Sequence, residues 1–195
     1  MVKAPEFLAE ISQAGGLRYV LVMTERGQSI VLIGFMGAGK SSSGRALARK
    51  TGLACLDTDE IVSKQFGLPV AKIFARFGEE EFRNAETEAL RQLSEAGAAI
   101  IVTGGGIVLR PENVKMLRQL GGVVSLEADP ETLLGRISKR ETRPLLQTEN
   151  PRTTLTELLR CRTPLYHAAA DFRLDTSRLT PREVADAILK WMKEL

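Results

Sequence analysis

The run Gly34-Phe35-Met36-Gly37-Ala38-Gly39-Lys40-Ser41 sets glycines, a lysine and a hydroxyl at the spacing G-x-x-x-x-G-K-[ST]. Glycine reaches backbone conformations that turn successive N–H groups into one concavity, a seat for phosphate oxygens. A helix beginning there adds roughly half a positive charge at its N-terminus. Lysine at this position can reach β- and γ-phosphates, and the following hydroxyl can ligate Mg²⁺. Gly37, Ala38, Gly39, Lys40, Ser41 and Ser42 are therefore expected to hold the phosphates of ATP. Two further clusters could do chemistry. Asp57-Thr58-Asp59 follows an apolar run, and Thr103-Gly104-Gly105-Gly106 follows another. Carboxylates two apart on an extended segment share a side. One could hold hydrated Mg²⁺ while the other meets an acceptor hydroxyl, although the same pattern also caps helices.

The elements that must position these groups follow from pattern. Ile30 to Ile33 is a β-branched run read as a buried strand, followed by a helix over about Lys40–Lys50 that Gly52 closes. Leu53–Leu56 and Ala99–Val102 are the next strands, each running into one of the two clusters. Between them lie helical patterns over about Glu60–Phe66, Val70–Phe77 and Glu79–Ala96. Pro111 opens a helix that Gly121 ends, Val123–Leu126 is a fourth strand, and Asp129-Pro130 caps another helix. Phe172–Leu174 is a fifth strand, and Thr180-Pro181-Arg182-Glu183 is a capping box for a last helix with Val184, Ile188 and Trp191 facing inward. Alternating strands and helices imply βαβ units, a parallel sheet and right-handed crossovers, with ligands beyond the carboxyl ends of the strands. Glu141–Arg152 is polar, carries two prolines and lacks a period, so it is expected to be a mobile loop. Residues 1–28 precede the first motif strand; Phe7, Leu8 and Ile11 could line a short helix and Tyr19–Met23 an edge strand.

The 195 residues suit a single domain, and 44% hydrophobic content supports a core without disulfides. No apolar run reaches the roughly 20 residues of a membrane span, and the first residues lack a secretory pattern. Cys55 and Cys161 show no metal-ligand spacing and are expected to be buried or semi-buried thiols. One histidine, His167, leaves no histidine-based metal cluster or triad and is expected to be structural or at the surface. The net charge of +3 comes without a lysine-rich block or interleaved aromatics, which argues against nucleic acid. Arginine outnumbers lysine 18 to 9, with seven basic residues against three acids from Arg136 to Arg162. The planar guanidinium fork binds carboxylate and phosphate bidentately, so this bias suits small anionic ligands. Neither D-x-x-G nor N-K-x-D occurs at Asp57-Thr58-Asp59-Glu60 or Asn113-Val114-Lys115-Met116, and Val102-Thr103-Gly104 stands where motor ATPases carry an aspartate. Small-molecule kinases remain.

Six segments in this order resemble the shikimate kinase family across about Ile30 to Leu189: the phosphate loop, Leu56-Asp57-Thr58-Asp59, Phe77-Gly78-Glu79 with Glu81-Phe82-Arg83, Thr103–Gly106, Arg143-Pro144-Leu145-Leu146 and Arg162-Thr163-Pro164-Leu165-Tyr166. The resemblance implies a three-layer α/β/α fold with a five-stranded parallel sheet, of the nucleoside-monophosphate-kinase-like P-loop type. A single kinase domain over 29–195 would hold a substrate region at about 59–96 and a lid at about 141–152, after an extension over 1–28. It implies that Asp59 binds the acceptor's ring hydroxyls and is the candidate base, while Arg83 and Arg162 grip its carboxylate. Gly104, Gly105 and Gly106 would lie against the acceptor, with Phe74 and Phe82 as its apolar wall. Arg143 would fold over the nucleotide phosphates, Arg136 would lie near the adenine, Arg178 would also face the nucleotide, and Ser41 with Asp57 would hold Mg²⁺. Catalysis would rest on Lys40, Asp59 and Arg143 in a cytoplasmic, monomeric enzyme that uses ATP and shikimate and needs neither nucleic acid nor membrane. A kinase of the same fold acting on another hydroxy acid, such as gluconate, and a non-catalytic binding module are the alternatives.

Overall fold

The structure, a computed structural model, describes residues 28–138 and 150–194. Strand β1 (Ser29–Ile33) is buried along its whole length, which is why it reads as a continuous apolar run with no alternation. It occupies the middle of a five-stranded sheet of order β2-β3-β1-β4-β5, with β2 at Cys55–Asp57, β3 at Ile100–Val102, β4 at Gly121–Glu127 and β5 at Phe172–Asp175. Every pairing is parallel, with Leu32 between Val102 and Val124 at the centre. The expected fifth strand is present.

Helix α1 (Lys40–Thr51) makes the crossover from β1 to the edge strand β2, in the opposite direction to all later crossovers. Right-handed connections therefore put α1 on one face and α2 to α6 on the other. The last helix, α7 (Pro181–Lys193), returns to pack on α1. Between them come α2 (Thr58–Phe66), α3 (Val70–Leu93), α4 (Pro111–Leu120), α5 (Pro130–Ser138) and α6 (Pro151–Ala169). The main core fills both faces of the sheet, and a smaller apolar cluster of Val62, Ile73, Phe82, Ala85 and Ala89 lies between α2 and α3.

Local signals explain most boundaries. Gly52 and Gly67 end α1 and α2 in the left-handed conformation, and Thr180 with Glu183 completes both arms of the capping box on α7. Val184 and Ile188 face the core, and Trp191 stacks on Phe172 at 5.2 Å. Gly78 interrupts α3 at φ 86, ψ 171, a conformation that is essentially glycine-only, which accounts for the two helical patterns on either side of it.

Three expectations change. The second strand ends at Asp57 and the helix begins at Thr58, so Asp57 and Asp59 do not share an extended segment. Helix α6 begins at Pro151, so Pro151 and Arg152 belong to a helix and not to the expected loop. Its nineteen residues bury only Leu155, Arg162, Tyr166 and Ala169, one of them charged, and Pro164 sits inside, so no apolar stripe advertised it. Cys55 is half-buried as expected, but Cys161 is exposed on α6. Residues 141–149 of the expected loop and 1–27 of the extension lie outside the described residues.

Gly44 shows how tightly α1 lies on the sheet. A Cβ there would meet Val102 Cγ2 at 2.5 Å and Cys55 Sγ at 3.2 Å. Alanine gains about 1 kcal/mol in helix propensity, while overpacking a core costs about 1–3 kcal/mol. Gly44→Ala should therefore lower the urea midpoint; a midpoint at or above that of the parent would mean that α1 can lift off β3 freely.

Candidate active site

The loop between β1 and α1 curls as its glycines require. Gly37 and Gly39 lie in the left-handed region at φ 82 and φ 94, and a Cβ on Gly34, at φ 131, would collide with the Leu126 carbonyl. Lys40 is buried, and its Nζ donates to the carbonyls of Gly34 (2.7 Å) and Phe35 (3.0 Å), so the ammonium is held at the mouth of the loop. The turn between β5 and α7 holds the loop from behind. Thr176 Oγ1 lies 2.9 Å from the Ala38 carbonyl and 3.0 Å from that of Glu127. Arg136 on α5 donates to the Gly37 carbonyl (3.3 Å) and the Thr176 carbonyl (2.7 Å). Together these groups wall a cleft of about 390 Å³ that includes Gly37, Gly39, Lys40, Ser41, Ser42, Asp57 and Asp59.

Asp57 ends β2 and caps α2 by accepting from the Asp59 N–H at 2.9 Å, so the capping alternative holds for this residue. Its other oxygen lies 3.4 Å from Ser41 Oγ in the same cleft. Burial, and then the neighbouring Asp59 carboxylate, hold the Asp57 carboxyl above its ordinary range. Two hard oxygen donors beside the phosphate loop fit Mg²⁺, which takes one or two protein oxygens and keeps waters and phosphates for the rest. Among the described residues no group of three His, Cys, Asp or Glu forms a metal cluster.

A second, smaller pocket of about 70 Å³ opens beside the cleft, and Met36, Asp59 and Gly105 border both. Its apolar wall is Val70, Phe74 and Phe82, with the two phenyl centroids 4.5 Å apart. Its charged wall is Arg83 and Arg162, each 7% exposed. The Arg83 guanidinium lies 5.8 Å from the Phe74 ring and 5.4 Å from that of Phe82. Glu79 at 2.9 Å and the fully buried Glu86 pair with it, one turn before and one turn after on α3. Arg162 lies one turn before Tyr166, whose hydroxyl donates to the Gly105 carbonyl; burial pushes the Tyr166 hydroxyl up to about 12.

The glycine strip serves these charges. A Cβ on Gly104 would lie 2.5 Å from Glu86 Oε1 and 2.6 Å from Asp59 Oδ1, and one on Gly106 would overlap the Arg83 guanidinium. Side chains are absent from the strip because charged groups already occupy that space. Thr58 Oγ1 fixes the strip by accepting from the Gly104 N–H at 3.1 Å.

The two cavities thus bring together the sequence-predicted Gly37, Gly39, Lys40, Ser41, Ser42, Asp57, Asp59, Arg83, Gly104, Gly105, Gly106, Arg136 and Arg162, while Ala38 supplies a loop carbonyl. Arg178 is not brought in: it is exposed in the β5–α7 turn near Asp175, although Thr176 and Leu179 line the cleft. Arg143 lies outside the described residues. His167 stands away from both cavities, 2.9 Å from Glu127 and 3.1 Å from Arg173. Sequence reasoning missed Glu86 and Thr176. The i,i+3 spacing of Glu86 from Arg83 was a usable signal; nothing local marked Thr176.

A phosphate loop at the carboxyl end of a central parallel strand, with a pocket lined by two buried arginines beside it, defines a P-loop kinase. The shikimate kinase family model matches residues 36–193. The shikimate kinase of Moorella thermoacetica is 48% identical over 171 residues, covering 86% of this chain and 98% of that one. That of Thermodesulfovibrio yellowstonii is 44% identical over 168 residues, covering 86% and 96%. Among solved structures, shikimate kinase from Acinetobacter baumannii in complex with shikimate superposes with TM-score 0.85 at 36% identity, covering 90% of this chain and 97% of that one. The chain belongs to the shikimate kinase family.

Glu86 offers a test of the charged wall. Burial outweighs the Arg83 guanidinium and pushes the Glu86 carboxyl from 4.5 up to about 7. A carboxyl that holds its proton longer when folded makes the native state bind more protons, so its contribution to stability falls as pH rises from about 4.5 to about 7. Glu86→Gln cannot ionise. Its stability relative to the parent should therefore improve between pH 4.5 and 7 in urea titrations; a pH-independent difference would mean that Glu86 ionises normally.

Proposed function

We propose that the protein transfers the γ-phosphoryl group of ATP to the 3-hydroxyl of shikimate, giving shikimate 3-phosphate and ADP. One observation carries this reading: two buried guanidiniums, Arg83 and Arg162, face a small pocket that joins the phosphate-loop cleft at Asp59 and Gly105. A carboxylate is the acceptor group that paired arginine forks favour, and Phe74 and Phe82 offer an apolar surface to a ring. The regiochemistry rests on family membership alone, and the choice of acceptor is supported by the shikimate complex of the Acinetobacter relative.

In this reading the loop amides and Lys40 neutralise the phosphates. Lys40 exchanges its contacts with the Gly34 and Phe35 carbonyls for phosphate oxygens when the nucleotide enters. Ser41 and Asp57 would hold Mg²⁺, which when bound supplies charge neutralisation at the β- and γ-phosphate oxygens. Asp59, at the junction of the two cavities, orients the acceptor hydroxyl and accepts its proton as the new bond forms. A loose transition state asks little of a base, so orientation is the larger part of its role. Arg136 braces the loop beside the nucleotide, and Arg143 is assigned the late-arriving charge over the transferring group from family resemblance. The same resemblance would add Arg178 to the nucleotide site. Family resemblance also leads us to read the enzyme as a cytoplasmic monomer, with a lid that ends before α6 begins at Pro151 and with the extension over 1–28 outside the kinase domain.

A panel of hydroxy acids assayed by coupled ADP detection tests the assignment. Shikimate should turn over fastest, and faster turnover of gluconate or another acid would replace it. In the same assay Arg83→Ala should raise KM for shikimate roughly tenfold or more, the effect of losing about 1.4 kcal/mol or more of binding, with KM for ATP little changed. An equal rise in both would remove Arg83 from the carboxylate clamp.

A further inference from the structure

We propose that Met36 seals the junction between the two cavities and thereby decides whether the γ-phosphoryl group reaches the acceptor or water. The inference rests on the kinase reading above and concerns a residue to which that reading gives no part. Of the three residues that border both cavities, Asp59 brings a carboxylate and Gly105 brings no side chain. Met36 alone of the three has an apolar side chain, and at 8% exposed it belongs to the edge of the main core that borders both cavities. It occupies the phosphate loop itself, between Phe35 and Gly37, where the loop meets the glycine strip: its N–H nitrogen lies 3.4 Å from where a Cβ on Gly105 would stand.

The chemistry makes this position consequential. In the productive reaction the acceptor oxygen bonds to the γ-phosphorus while the bond to the β–γ bridging oxygen breaks. ADP leaves with that oxygen, and the hydroxyl proton passes to Asp59 or solvent. In the competing reaction a water oxygen attacks the same phosphorus, the same bond breaks, and the products are ADP, inorganic phosphate and a proton. A loose transition state discriminates poorly between nucleophiles by reactivity, so what separates them is which oxygen can stand in line. A water needs room and polar partners. The Asp59 carboxylate and the phosphates would supply the partners, so the room must be denied by an apolar side chain. A thioether suits that task because it is unbranched and adaptable, and can keep contact with the junction as the acceptor enters and leaves.

The test uses the full-length enzyme with Mg²⁺ and ATP, measuring ADP, inorganic phosphate and phosphorylated shikimate separately, for Met36→Ala, Met36→Gln and Met36→Leu. The alanine variant opens space; the glutamine variant keeps the length but offers water a partner, and serves alone if the alanine variant melts below the assay temperature. Both should raise acceptor-independent ADP release roughly tenfold, the change that about 1.4 kcal/mol at the transition state produces, and should form more ADP than phosphorylated shikimate. Met36→Leu should keep the two products equal. A residue that merely packs would slow hydrolysis and transfer together and leave their ratio unchanged. Products that stay equal in the alanine and glutamine variants, while the parent phosphorylates shikimate, overturn the role of Met36 alone. A parent that does not phosphorylate shikimate overturns the kinase assignment instead.

Discussion

A guanidinium taken out of water must be given its charge partners in the same place, and Arg83 is the residue on which that rule bears hardest. Burial pulls its proton affinity down, and Glu86 and Glu79 more than restore it. The arrangement is costly unless every part is present, because removing one partner of a buried pair leaves an uncompensated charge. Much of the architecture around the acceptor pocket meets that demand. Helix α3 carries the arginine and both acids at one-turn spacings, the glycine strip withdraws its side chains to make room, and Phe74 and Phe82 place their rings together on one side of the cation. A pocket built this way is already charged and desolvated before a ligand arrives, so binding requires little rearrangement of charge.

The nucleotide side follows a different logic. Its loop is made of backbone, and backbone geometry needs bracing more than it needs side chains. The left-handed glycines give the loop its curl, but the carbonyls that the curl exposes must find donors. Lys40 serves those of Gly34 and Phe35, Arg136 that of Gly37, and Thr176 that of Ala38. These donors come from α1, α5 and the turn after β5, so three separate stretches of chain agree on one loop conformation. The two sites meet at Asp59, which belongs to the first turn of α2 and is set there by the Asp57 cap.

Much of this was legible in the residues because the signals are local. Glycine spacing, a β-branched run and a capping box each constrain a few consecutive positions, and the central strands and most helix ends follow from them. The acceptor pocket could be assembled on paper only through family resemblance, since Arg83 and Arg162 lie far apart in sequence and nothing local says that they face one cavity. Helix α6 carries no clear apolar stripe because it covers the core with Leu155 and Tyr166 while placing Arg162 in the lining of the smaller pocket. Asp57 and Asp59 were read as neighbours on a strand; the strand-to-helix change between them is decided by a cap whose sequence signature is shared with ordinary turns. Thr176 acts through tertiary contacts that pattern alone does not expose, whereas Glu86 stands at a readable i,i+3 spacing from Arg83 on the same helix.

The clasp made by Thr176 also has a bearing on biosynthesis. The phosphate loop is synthesised early, yet one of its carbonyls and the main-chain end of β4 are both tied to a threonine that lies 138 residues after Ala38. A nascent polypeptide cannot finish the nucleotide seat until that threonine has emerged, and a product ending before it would carry the recognisable loop without its brace.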